Sequence, residues 1–287
     1  MLIAVCLAFV DQRPQVDALT GEVSTDDRTS RLTEADAAAL ELALSCAQRW
    51  GGEVLAVTAG PPAADAVLRD ALACGADRAV RLPEPPSGLA AAVAAALAAA
   101  VATAELVWCG DQGPAAGSGA VPAFLAAELG VAGAFGLIEA VPGGASGRIA
   151  ALRRLDGGRR ERLAVTTPAV LSVEGAVARL RRAGLTGVLR AERAVIETGT
   201  AGPRAAGPGT HGVRVGLPRA YRPRPRVIAA PGGASALERV RALTGAGAAT
   251  AEAERRIAVA ADPEQAAALI LDALDRWGYG LPDGVAR

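Results

Sequence analysis

The chain has 287 residues, about half of them apolar, and a formal net charge of zero at neutral pH. That composition excludes wholesale disorder and leaves room for one large domain or a domain with an extension. Zero net charge removes any bulk electrostatic case for nucleic acid or an anionic membrane surface.

The elements follow in chain order. LIAVCLA (2–8) is an apolar run of strand length, and its segment meets Asp11 too early, without a basic flank, for a signal peptide. EADAAALELALSCAQRW (34–50) predicts a helix, with Thr33 as N-cap and Asp36 three residues on. EVLAVTAG (53–60) reads as the second strand, and Pro61 opens a helix that Gly75 ends. RAVRLP (78–83) is the third strand. The Ala-rich stretch from Gly88 to Trp108 imitates a membrane span, but Ala contributes little insertion energy and Glu105 interrupts it. It reads as a helix followed by a fourth strand, ELVWCG (105–110). After a Gly-rich loop, VPAFLAAELG predicts a helix through Glu128, ended by Gly130. Alternating strands and helices with non-alternating apolar strands predict a mostly parallel, doubly wound α/β sheet covered on both faces.

Beyond this point the pattern changes. Arg148 to Val173 holds two strand candidates around Asp156-Gly157-Gly158, a hairpin signal. From Glu174 the chain reads as Arg-rich and irregular, and residues 199–225 as a Gly/Pro/Arg linker. DPEQAAALILDALDRWG predicts a last helix with Asp262 as N-cap, Pro263 at its first position and Gly278 past its end. The division expected is an α/β nucleotide-binding domain over 1–190 and a linker with a C-terminal arm over 191–287.

The chemistry-bearing residues are sparse. Cys6, Cys46, Cys74 and Cys109 are far apart, with no C-x-x-C and no nearby His. This argues against a thiol pair, a zinc site or a disulfide framework, and for reduced cysteines in the cytoplasm. His211, the one histidine, lies in a Gly/Pro loop and reads as a bystander. All 30 basic residues are Arg and Lys is absent, a pattern of GC-rich coding that lowers the weight of any single Arg. No acid–base pair or nucleophile stands out as catalytic.

The loop GDQGPAAGSGA (110–120) joins a strand to a helix at the sheet edge where open α/β folds bind ligands. Small residues and helix-start N–H groups suit a phosphate; ordinary turn chemistry explains the same letters. It is no Walker A loop, and Pro122 breaks a G-x-G-x-x-G reading.

Taken together, LIAVCLAFV, the 34–50 helix, GPPAADAVLRDALACGADRAV (60–80), the hairpin RRLDGGRRE and the last helix resemble the beta subunit of an electron-transfer flavoprotein. The 60–80 stretch resembles that family's G-P-x-x-x-x-x-x-R-x-A-L-A-M-G-A-D-R, and the likeness runs over nearly the whole chain. It implies a Rossmann-like fold of the adenine-nucleotide alpha-hydrolase-like type, with a β-hairpin and a C-terminal arm that embraces an alpha subunit. It implies an FAD shared with that subunit, and AMP or a second FAD held in this one. Electrons would come from a dehydrogenase and leave for a quinone-linked acceptor. Carried over by position, nucleotide contacts fall on Ala4, Thr33, Asp36, Ala59, Gly110, Gln112, Gly113, Gly117, Ser118, Gly119, Ala120 and Val121.

Departures from the family pattern are informative. Asp111 replaces a Lys, and Ala115 and Gly117 replace two Asp residues. Leu185 falls where the family anchors dehydrogenases, and Arg154 falls where it carries Glu. The altered loop and Arg-rich stretch imply a specialised member, of the kind that accompanies dedicated dehydrogenases in GC-rich actinobacteria, including mycofactocin systems. Two alternatives stay open: a stand-alone adenine-nucleotide-binding protein, and a nucleotide-free structural partner of the alpha subunit. A universal-stress-type motif fails at Ala123.

Overall fold

Each apolar run of the first half forms a strand, and each helical stretch after it carries the chain back across the sheet. The computed structural model describes residues 1–85, 89–112, 119–200, 235–244 and 262–276. The strands are β1 (Leu2–Cys6), β2 (Glu53–Ala59), β3 (Arg78–Leu82), β4 (Leu106–Gly110), β5 (Ala132–Pro142), β6 (Arg148–Arg154), β7 (Arg160–Thr166), β8 (Ala169–Val173) and β9 (Glu197–Thr198). The helices are α1 (Glu34–Trp50), α2 (Asp65–Cys74), α3 (Ala90–Val101), α4 (Val121–Leu129), α5 (Leu185–Arg193), α6 (Ala236–Thr244) and α7 (Pro263–Arg276).

The nine strands form one sheet in the order β7-β6-β5-β8-β4-β1-β2-β3-β9. Six of its pairings are parallel, and only β5–β6 and β6–β7 are antiparallel. The mostly parallel, doubly wound α/β expectation is met. β1 lies between β2 and β4, so the winding reverses at its carboxyl end, which opens a crevice there.

Burial on both faces explains why these strands read as continuous apolar runs. Ile3, Val5, Val54, Trp108 and Leu171 pack with Leu40, Leu44 and Leu68 of α1 and α2. Ala4, Cys6, Val57, Val107 and Val170 pack on the opposite face with Leu97 of α3 and Leu125 of α4. α1 keeps the expected bounds because both ends are capped. The Thr33 hydroxyl accepts from Asp36 N at 3.0 Å, and Gly51, at φ 73°, closes the C-terminus through its N–H to Ala47 O.

The hairpin forms as expected, with Arg154 opposite Arg160 and left-handed backbone at Gly157 and Gly158. β5 was not among the expected strands, because its Gly and Pro residues mask the pattern. Residues 10–31 add two short antiparallel ladders, Val10–Asp11 with Ser30–Arg31 and Gln15–Val16 with Val23–Ser24. The Asp11 carboxylate ties this excursion together, accepting from Arg13 N, Asp26 N and the Thr29 hydroxyl.

One expectation is corrected. The stretch after Glu174 is not irregular throughout, since it contains α5 and β9. Arg69 donates to Ala191 O and Arg190 to Leu72 O, which ties α5 to α2, and Glu197 pairs with Arg78 as β9 joins β3. These are tertiary contacts, invisible to local propensity.

The chain divides into units Met1–Tyr221 and Arg222–Arg287, and position 190 falls inside α5. In the second unit, Asp262 caps α7 by accepting from Gln265 N at 2.8 Å. Leu269, Ile270 and Leu271 of α7 are exposed. The expected end signal, Gly278, and most of the 199–225 linker lie outside the described residues. No helix among the described residues is long and apolar enough to cross a membrane.

Candidate functional site

At the carboxyl ends of β1, β2 and β4 lies a cavity of about 200 Å³. Val93 and Leu97 of α3, Phe9 after β1 and Pro122 of α4 give it apolar walls. Ala59, Gly110 and Gly119 keep the backbone close to the space, and the polar lining consists of Asp36, Glu84 and Gln112. An apolar hollow with a few convergent polar groups is the usual form of a small-molecule site.

Asp36 organises the floor. Its carboxylate accepts from Ala8 N at 3.2 Å, from Gly110 N at 3.3 Å and from the Thr33 hydroxyl at 2.8 Å. The residue thus fastens the start of α1 to the ends of β1 and β4. Gly110 is needed for this, because a Cβ there would come within 2.7 Å of Asp36 Oδ1. Burial pushes the Asp36 carboxyl up to about 6, with the three hydrogen bonds holding it down from higher values. Burial also raises the Asp111 carboxyl, helped by the nearby charge of Glu174.

The cavity floor also carries two thiols. Cys6 of β1 and Cys109 of β4 are register partners on adjacent strands, both line the cavity, and both are free. The hydrogen bond to Cys6, together with burial, holds the Cys109 thiol well above the ordinary thiol range. The expectation against a thiol pair is therefore corrected. The sheet brings together residues that lie far apart in sequence, because β4 inserts beside β1. Among the described residues no group of three or more His, Cys, Asp or Glu is placed to hold a metal ion.

Of the residues carried over by position, Asp36, Ala59, Gly110, Gln112, Gly119 and Val121 line the cavity. Thr33 stands behind Asp36 as its hydroxyl donor and as the α1 cap. Ala4 is fully buried between the sheet and α3, one turn of the pleat below the edge, and does not line the space. Ala120 immediately precedes α4. Gly113, Gly117 and Ser118 lie outside the described residues. Glu84, Phe9, Cys6 and Cys109 were missed. Glu84 sits in a Pro-rich loop with no motif to mark it, whereas the cysteines could have been found as the last inward residues of their strands.

The two partner-contact candidates lie on other elements. Leu185 is the first residue of α5 and is 75% exposed. Arg154 ends β6 and grips Glu174 through two bonds of 2.7 Å.

A family model described as electron transfer flavoprotein domain matches residues 20–203, well over half of the chain. Among curated proteins, the chain is similar to Protein FixA of Bradyrhizobium diazoefficiens, 40% identical over 80 residues, 27% of this chain and 28% of the relative. Protein FixA of Azorhizobium caulinodans is 40% identical over 84 residues, 29% of this chain and 30% of the relative. Protein FixA of Sinorhizobium fredii is 39% identical over the same number of residues, again 30% of the relative. The matched stretch thus spans less than a third of each of these relatives. With a doubly wound sheet of this order, and a family match that runs from the excursion after β1 past β9, the chain belongs to the electron transfer flavoprotein domain family.

Proposed function

We propose that the chain is the beta subunit of a heterodimeric electron-transfer flavoprotein, taking electrons from a dehydrogenase and passing them to a quinone-linked acceptor in the cytoplasm. The observation that carries this reading is the coincidence of the family match with a cavity at the sheet's winding reversal, lined by six of the residues the resemblance marks. The cavity suits the adenine and ribose of AMP or of a second FAD. Val93, Leu97 and Pro122 would face the ring, and the small Ala59, Gly110 and Gly119 would let the ligand approach the backbone. The shared flavin, when bound, supplies the redox chemistry, and this chain orients and shields it together with the alpha subunit. Leu185, an exposed apolar side chain flanked by arginines, is the residue a dehydrogenase would dock on. Arg154, paired with Glu174 at the end of β6, would select the partner by charge.

Co-expression with an electron-transfer flavoprotein alpha subunit tests the reading. A yellow heterodimer that releases AMP or FAD on denaturation is expected. A colourless pair after flavin reconstitution overturns electron carriage. A coloured pair releasing no nucleotide beyond the shared FAD favours the purely structural role. A nucleotide-bound chain that ignores the alpha subunit favours the stand-alone binding protein.

A further inference from the structure

We propose that Cys6 and Cys109 form a redox-active dithiol, which a small two-electron oxidant reaches through the cavity and closes to a disulfide joining β1 to β4. The inference goes beyond electron carriage and does not depend on what the cavity binds.

Three observations carry it. First, the two residues are register partners on adjacent parallel strands. Neighbouring strands lie about 4.8 Å apart, within the roughly 4.4–6.8 Å between Cα atoms that a disulfide spans. Second, both side chains pack on the face of the sheet that carries α3 and α4, and a hydrogen bond joins the two thiols. Third, both line the cavity although they are only 6% and 4% exposed, so the cavity is where a small reagent meets them. The other two cysteines lack this arrangement. Cys46 lies in the core on the opposite face, where burial pushes its thiol up to about 12, and Cys74 sits on α2 with its thiol donating to Arg181 O.

The same geometry assigns the order of events. The hydrogen bond to Cys6 and burial keep Cys109 protonated, and the charge of Asp36 adds to this. Only a thiolate is nucleophilic, so Cys6 attacks first. With hydrogen peroxide as oxidant, the Cys6 sulfur takes one oxygen as the O–O bond breaks, which gives a sulfenic acid and one water. Cys109 then attacks the Cys6 sulfur, the S–O bond breaks, and the second water leaves with the Cys109 proton. Two electrons pass from the sulfurs to peroxide. The carboxylates of the lining, Asp36 and Glu84, oppose a thiolate, so closure is slow and the pair rests reduced. Once formed, the bond fastens the strand ends that present Ala8 N and Gly110 N to Asp36.

Peptide mapping of the full chain after hydrogen peroxide treatment tests this. Cleavage after arginine puts the four cysteines on four different peptides. Most chains should lose two hydrogens and yield the Cys6 and Cys109 peptides as one linked species, which dithiothreitol separates. Cys109→Ala should stop Cys6 at the sulfenic acid, trapped by dimedone, whereas Cys6→Ala should leave Cys109 roughly tenfold or more slower to react. Replacing Cys46 and Cys74 together by Ala should leave the rate of closure unchanged. The wild-type map stands whether or not a variant folds. Cys6 and Cys109 recovered unlinked, as thiols or as sulfinic acids, would overturn the proposal, and so would dimedone capture on Cys109 ahead of Cys6. A colourless heterodimer would remove the flavoprotein reading and leave this map untouched.

Discussion

Asp36 shows what one carboxylate can do when a fold surrounds it. It joins α1, β1 and β4 through three accepted hydrogen bonds, yet burial makes its charge costly and lifts its carboxyl to about 6. The unfolded chain releases that proton near the ordinary value of about 3.9. Between about pH 4 and 6 the folded chain therefore binds more protons than the unfolded one, and this group's contribution to stability falls as pH rises through the window. The full span is about 3 kcal/mol, for a shift of about two units. Asp11 and Asp17, held low by hydrogen-bond donors, titrate in the opposite sense, so the measurement is a difference. Urea unfolding of wild type and Asp36→Asn at pH 4 and pH 7 should show the wild type losing ground to the variant as pH rises. A pH-independent gap would show that Asp36 titrates normally. Thr33→Ala removes both the α1 cap and a donor to Asp36 and should cost about 1–2 kcal/mol in the same assay, with Thr33→Ser close to wild type.

At the scale of elements, α5 carries within nine residues both a glycine the fold needs and the exposed leucine proposed for docking. Gly187 lies against α2, where a Cβ would collide with the Ala73 carbonyl oxygen, while Leu185, two residues earlier, points its bulk into solvent. Gly187→Ala should therefore lower stability by about 1–3 kcal/mol by prising α5 from α2. Leu185→Ala should leave the denaturation midpoint within about 0.5 kcal/mol of wild type. In the proposed heterodimer, the same Leu185→Ala change should slow flavin reduction by a dehydrogenase, about tenfold in stopped-flow measurements. Equal flavin reduction by both proteins would remove Leu185 from the docking surface. The contrast also shows what the sequence could reveal. α1, the parallel strands and the Gly157-Gly158 hairpin were legible because their signals are local: caps, apolar runs and turn glycines. β5 and α5 were not, since Gly, Pro and Arg hide their periods and their stability comes from β8 and α2. The cavity was half legible. Ala59 and Gly110 fall at strand ends where a parallel sheet must present them, but the meeting of Cys6 with Cys109, and of Glu84 with Asp36, depends on strand order, which no short window contains.

At the scale of the whole molecule, charge placement would decide how a neutral chain meets the proposed partners. Net charge is zero, yet the hairpin of β6 and β7 carries Arg153, Arg154, Arg159, Arg160 and Arg162 on a few turns of chain. Some of this charge is neutralised internally, with Arg153 held by Glu161 and Arg154 by Glu174. Glu174 follows β8 directly, so the Arg154 pair ties the antiparallel edge of the sheet to the parallel centre beside the cavity. Replacing Arg154 with Glu would turn an ion pair into two facing carboxylates and reverse the sign presented at the end of β6. Arg154 is exposed and Glu174 half-buried, so only a modest loss of stability is expected. The effect expected is on partner exchange. In the proposed heterodimer, Arg154→Glu should change both the rate of electron exchange and its dependence on ionic strength, because a charge at the rim of an interface acts mainly through the encounter rate. Glu174→Gln, which frees Arg154 without reversing it, separates the two roles. If Arg154 meets a partner directly, Glu174→Gln should leave exchange as fast as in wild type or faster. If the arginine serves only to clamp Glu174, both variants should perturb exchange alike, through the strand ends at the cavity rather than through the protein surface.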